Sequence, residues 1–222
     1  MSTLKTVLSQ KIDAHRPRIT KLVKECGDVK LGDVTIAQAI GGARGIKCLV
    51  TDISYLDPFE GIRFRGMTIP ETFDVLPKVP GSDYPFVEGF WYLLLTGDVP
   101  TMEQTLEVVE DWKKRSVVPQ YVYDVLNALP DDAHPMAMFS SAVLAMQRDS
   151  VFASNYAAGK FNKMTCWEDM YEDANNMMAK LGPIGAYIYR KKYKNNEQIA
   201  ADPNLDMGGN FAHMMGVPAP YD

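Results

Sequence analysis

The stretch TCWEDMYEDANNMMAKLGPIGAYIYRKK, residues 165–192, decides the fold. Thr165-Cys166-Trp167-Glu168 reads as a capping box, with a hydroxyl for one orphan N–H and a carboxylate reaching back to another. Met170, Tyr171, Ala174, Met177, Met178 and Leu181 then recur at helical spacing. Gly182-Pro183 is strong punctuation, and it predicts the end of that helix and the start of another bearing Ile184, Tyr187 and Ile188. Arg190, Lys191 and Lys192 fall in the last turn, where the negative end of a helix dipole favours cations.

The same period runs back to about residue 83. His134-Pro135 opens a helix bearing Met136, Phe139, Val143 and Met146, and Pro119 opens the one before it. Thr101 and Gln104 form a second capping box, ahead of Leu106, Val109 and Trp112. Ala137, Ser140, Ser141, Ala142 and Ala145 put small residues on several faces of the 136–147 helix, which suits an internal helix or a subunit interface. The methionines inside these stripes fill irregular gaps between helices.

Outside this core the texture changes. Leu4, Val7, Leu8, Ile12, Ile19, Leu22 and Val23 predict an N-terminal helix over residues 4–26, broken at Pro17 and stopped at Gly27. Residues 31–66 predict short strands at Val34–Ile36, Cys48–Thr51 and Ile62–Arg65, with a turn at Asp57-Pro58. After Pro203 a loop leads to one short helix near Asn210–Met215. The fold class is mainly α, with a few short strands around residues 31–66.

The chain of 222 residues is 46% hydrophobic and 23% charged, which fits a globular domain able to bury a core without staples. Net charge is −5, against a nucleic-acid binder. The longest apolar cluster, Phe90–Leu95, falls far short of the ~18 residues of a membrane span, so no membrane partner is expected. Cys26, Cys48 and Cys166 include no CxxC and read as buried thiols in a reducing compartment. No His, Cys and Asp spacing matches a metal site. The N-terminus shows neither a secretory apolar core nor an Arg-rich stretch before Arg16, so the expectation is a bacterial cytoplasmic protein without a transit peptide.

Nucleophile elbow, P-loop, HExxH and GxGxxG patterns are absent. Gly41-Gly42-Ala43-Arg44-Gly45 is either a tight turn or an anion cradle with Arg44 as the fork. In Gly61-Ile62-Arg63-Phe64-Arg65-Gly66 a strand would place both arginines on one face, to bind an anion or to pair with Asp57, Glu60 or Glu71. Lys160, Asn162 and Lys163 form a polar loop that could touch phosphate or simply be solvated. His134 fits an N-cap better than a general base, His213 has no carboxylate partner fixed in sequence, and His15 lies on the first, exposed helix.

The blocks GGARG, LDPFEGIRFRGMTIPE, FWYLLLTGDVPT, HPMAMFSSAVLAM and WEDMYEDANNMMAKLGPIGAYIYR, in that order and spacing, resemble citrate synthase of the dimeric type found in mitochondria and some bacteria. The resemblance runs from about residue 4 to about residue 216. It implies stacked antiparallel helices used as a homodimer, condensing acetyl-CoA with oxaloacetate to citrate and CoA at the entry to the tricarboxylic acid cycle. It implies acetyl-CoA as a cosubstrate and no permanently bound cofactor.

In that family two histidines and an aspartate do the chemistry. The histidines lie in motifs of the kind HSDHEGGN, GPLHGLAN and GYGHAV, none of which is present. The expectation is therefore that residues 1–222 are the N-terminal part of the large helical domain, hold no catalytic residue and are inactive alone. Two CoA contacts carry over. Arg44 matches the arginine of the family's GGxRG block, and Lys163 is the basic residue nearest a second arginine position before the YWE motif, with Asn162 as its neighbour in register. Alternatives are a non-catalytic helical module that dimerises or binds a partner, and a 2-methylcitrate synthase.

Overall fold

The computed structural model describes residues 2–43, 45–46, 50–218 and 221. Among the described residues the chain forms ten α-helices and one two-stranded antiparallel sheet. It divides into two compact units, Met1–Val75 with Leu93–Asp98, and Leu76–Tyr92 with Val99–Asp222.

The first unit begins with α1, Thr3–Cys26, capped by the Ser2 hydroxyl, which accepts from the Lys5 N–H. Pro17 was expected to break this helix, yet α1 runs through it. Proline removes the N–H that would reach the Asp13 carbonyl, but Asp13 is exposed, so water can serve that carbonyl. Cys26 is exposed at the end of α1, and Cys166 is half-buried, which corrects the expectation of buried thiols; Cys48 lies outside the described residues.

The strand expected at Val34–Ile36 is instead the start of α2, Ile36–Ile40. Thr35 and Gln38 form a reciprocal capping box there, and that pairing outweighs the β-branched texture. The strand expected at Cys48–Thr51 falls partly outside the described residues, and Val50 and Thr51 form none. The expected strand near residue 62 is β2, Gly61–Phe64, paired with β1, Ser54–Asp57. The Asp57 carboxylate makes the turn between them by accepting from the N–H groups of Phe59 (2.8 Å) and Glu60 (2.9 Å). Helix α3, Ile69–Val75, follows.

Helix α4, Val87–Thr96, is divided between the units. Its end lies in the first unit, where Gly97 adopts φ +80° and its N–H bonds the Leu93 carbonyl at 2.8 Å.

The second unit is helical. Helix α5, Met102–Arg115, starts on the expected box: Thr101 Oγ1 accepts from the Gln104 N–H (3.2 Å), and Gln104 Oε1 accepts from the Thr101 N–H (2.9 Å). Next come α6 (Gln120–Ala128), α7 (Pro135–Met146) and α8 (Val151–Ala157). The chain closes with α9 (Cys166–Tyr193) and α10 (Met207–Met215). His134 caps α7 as expected, its Nδ1 accepting from the Met136 N–H. No described helix is long and apolar enough to cross a membrane.

Helix α9 is the spine and packs against α5, α7, α8 and α10. It is one helix, where a break at Gly182-Pro183 was expected. Gly182, Ile184, Ala186 and Ile188 are all buried, so tertiary packing outweighs the local cost of proline. A Cβ at Gly185 would lie 3.3 Å from the Phe211 ring, so the missing side chain lets α10 come close.

One core cluster joins Val118, Val122, Leu126, Met138, Ala142, Ile184 and Ile188. A second node is polar. The Asn175 Oδ1 atom accepts from the indole N–H groups of Trp91 (3.1 Å) and Trp112 (2.9 Å), and its amide donates to the Tyr171 carbonyl (2.8 Å). The two rings lie 5.9 Å apart and tilted.

Candidate functional site

The loop between α8 and α9 carries Lys160, Asn162 and Lys163, and its position is set from below. Asp173 of α9 accepts from the Ser150 hydroxyl and from the N–H groups of Val151 (2.7 Å) and Phe152 (3.1 Å), which fixes the start of α8. Asn155 donates to Asp169 at 3.0 Å and ties α8 to the first turn of α9. Phe152, Tyr156 and Phe161 then form an aromatic triangle with centroids 5.7–6.2 Å apart, which anchors the loop's first half.

The second half is a tight turn. The Asn162 carbonyl accepts from the N–H groups of Thr165 (3.1 Å) and Cys166 (2.8 Å). This turn, not the expected capping box, starts α9, because Thr165 sits at φ −116°, ψ −7° and makes no side-chain cap. Lys163 is exposed on the turn, and its ammonium has no hydrogen-bond or ion-pair partner among the described residues. A free, exposed ammonium on an anchored loop can attract a phosphate as a point charge.

Arg44, the other expected contact, lies outside the described residues. The glycines before it form a turn after α2: Gly41 caps the helix, and Gly42 and Ala43 take φ +75° and +62°. The two arginines of GIRFRG do not share a face. Arg63 lies in β2 and pairs with Glu60, holding that carboxyl below its usual range, and it donates to the Gly66 carbonyl at 2.8 Å. Arg65 has left the strand at φ +50° and donates to the carbonyls of Leu94 and Leu95 at the end of α4. Both arginines serve the fold, the second as a cation at a helix C-terminus.

Glu88 is the residue that sequence reasoning missed. It is the single charge between Asp83 and Asp98, inside the apolar run PFVEGFWYLLL, and that isolation was the available signal. Its side chain is 1% exposed. Among the described residues no group of three or more His, Cys, Asp or Glu could hold a metal ion.

The family model for the citrate synthase C-terminal domain matches residues 42–222. The chain belongs to the citrate synthase family. It is 45% identical over 213 residues to citrate synthase 4, mitochondrial, of Arabidopsis thaliana, covering 96% of this chain and 45% of that protein. It is 44% identical over 217 residues to the mitochondrial citrate synthase of Daucus carota, covering 98% and 46%. The chain thus spans just under half the length of the curated relatives it matches.

The fold is shared with the crystal structure of citrate synthase from Pyrobaculum aerophilum, at TM-score 0.67 and 24% identity, over 86% of this chain and 46% of that one. It is shared as well with the Thermoplasma acidophilum enzyme, solved as a ternary complex with carboxymethyl coenzyme A and oxaloacetate, at TM-score 0.60 and 22% identity, over 82% of this chain and 42% of that one. The citrate synthase relatives at 42–45% identity are mitochondrial by name, and this overturns the expectation of a bacterial cytoplasmic protein.

Proposed function

We propose that the protein containing this span condenses acetyl-CoA with oxaloacetate to give citrate and CoA, in mitochondria, as an entry step to the tricarboxylic acid cycle. The observation that carries this reading is the citrate synthase family match over residues 42–222. In this reading residues 1–222 contribute to CoA binding, and the proton transfers belong to residues outside them. Arg44 offers a bidentate fork to a CoA phosphate, and Lys163 offers a point charge to another. Acetyl-CoA is a cosubstrate, and the reaction needs no resident cofactor.

The same reading includes a homodimer. Helix α7 supports it: Met138 and Ala142 are buried in the core, while Met136, Ala137, Ser140 and Leu144 leave an exposed strip of mostly small and apolar residues. Small side chains there would let a second copy's backbone approach closely.

Steady-state kinetics on the whole natural protein test the proposal. Arg44→Ala raises the KM for acetyl-CoA roughly tenfold with kcat little changed, as for the loss of one charge-assisted bond made equally in ground and transition states. An unchanged KM removes Arg44 from the CoA site. Lys163→Ala raises KM less, and added salt narrows its difference from the unsubstituted protein. Residues 1–222 alone show no turnover, and faster use of propionyl-CoA than acetyl-CoA would reassign the activity to 2-methylcitrate synthesis.

A further inference from the structure

A carboxylate in the first turn of a helix ordinarily meets water and the positive end of the helix dipole. Glu88 holds that position on α4 but is buried. Its Oε1 accepts from the backbone N–H of Met207, the first residue of α10, at 2.9 Å. Its Oε2 has no hydrogen-bond partner among the described residues. The side chain borders a cavity of about 40 Å³ whose walls include Val109, Trp112, Ala179, Pro183, Leu205 and Met214. That space is roomy enough for a water molecule, and Lys113, Ser116, Asp206 and Asn210 also border it.

The charged and titratable groups that face Glu88 come from three sides. Helix α5 supplies Lys113, and Asp206 stands at the start of α10. Tyr221 follows from beyond α10, with its hydroxyl donating to Asp206. Helix α9 and the segment 201–205 present only the apolar Ala179, Pro183, Ala201 and Leu205. Asp206 is itself buried and caps α10 by accepting from the Gly209 N–H at 3.2 Å. Two carboxyl groups therefore share one small, mostly apolar cavity with a single lysine. Burial is the main force that pushes the Glu88 carboxyl up to about 7; the Met207 N–H opposes it, Asp206 adds to it and Lys113 opposes it.

The geometry points to a proton-operated latch: uncharged, Glu88 keeps the N-terminus of α10 seated on α4 and α5, and ionised beside Asp206 it loosens that end. The sign follows from linkage. The seated carboxyl binds its proton more tightly than a carboxyl opened to water, so seating is strongest below the open-state value near 4.5 and weakens as pH rises through about 7. The full shift caps the change in the opening equilibrium at a few hundredfold, and partial water access brings it to roughly tenfold to a hundredfold.

Hydrogen exchange on the whole natural chain between pH 5.5 and 8.5, corrected for intrinsic exchange rates, tests this. Amides near the start of α10, Met207 and Gly209 among them, are expected to lose roughly threefold to twentyfold in protection between pH 5.5 and 7.5 and then level off, while amides in the middle of α9 hold. Glu88→Gln keeps the shape without the charge and is expected to hold α10 at its low-pH protection throughout. Asp206→Asn keeps a competent cap but removes the neighbouring charge, so it is expected to move the transition to lower pH. A flat wild-type profile, or the wild-type slope retained in Glu88→Gln, overturns the proposal. Should Glu88→Gln fail to fold, a transition that Asp206→Asn leaves in place overturns it.

Discussion

The two units spend similar apolar side chains in different ways. In the second, Leu126, Met138, Ile184 and Trp112 are buried among packed helices. In the first, Leu31, Ile36, Ile40 and Val50 stand exposed, and Phe59 is 99% exposed. Sequence texture does not cause this difference, since both units carry amphipathic patterns. Partners do. Helix α9 offers a long spine that several helices cover, whereas α2 is five residues long, and Ile36 and Ile40, one turn apart, stay exposed among the described residues. Hydrophobic residues stabilise a fold only where a second surface removes them from water.

Substitution can break that comparison outright. Trp112→Ala should cost ~3–5 kcal/mol, the range for emptying a large aromatic site, and Phe59→Ala should stay within ~0.5 kcal/mol. Urea unfolding followed by far-UV circular dichroism reads both. Equal losses would mean that Phe59 is covered in solution and that the first unit is not the barer one.

A narrower test targets the polar node. Asn175→Leu would strand two indole N–H groups without an acceptor, at ~2–3 kcal/mol. A loss below ~1 kcal/mol would show that the node contributes shape and little else. The smallest effect sharpens the helix starts within the second unit. Thr101→Ala should cost about 1 kcal/mol by thermal melting, because its hydroxyl caps α5. Thr165→Ala should cost close to nothing, since α9 starts on the Asn162 turn.

That last pair shows how far the sequence could be read. Thr101-x-x-Gln104 and Thr165-x-x-Glu168 are the same pattern, and only the first forms, because the Asn162 turn holds Thr165 at φ −116°, ψ −7°, outside the extended geometry of a cap. Periodicity located α5 and α7 and marked α9 as two pieces, while Pro119 marked the start of α6 and the helix expected at Asn210–Met215 begins at Met207. Periodicity missed α8, whose seven residues are held by Asp173 from elsewhere in the chain. It also misjudged Pro17 and Pro183, because the neighbours that sustain a helix past proline are not visible locally.

Of the candidate site, the exposed polar loop that carries Lys163 was legible, and Arg44 lies outside the described residues. The arginines of GIRFRG were less legible, because a single residue at positive φ turned Arg65 away from Arg63 and onto the end of α4. Glu88 was visible only as a lone charge in an apolar run.

The Asn175 node has a consequence for anyone watching this molecule with light. The chain has three tryptophans, Trp91, Trp112 and Trp167, and all of them lie in the second unit. Two of those indoles hydrogen-bond the same amide oxygen, so their emission reports the opening of one junction among α4, α5 and α9. The first unit contains no indole. It could melt, or acquire a covering partner, without a change in tryptophan fluorescence, and a single clean transition by that probe would describe only the second unit.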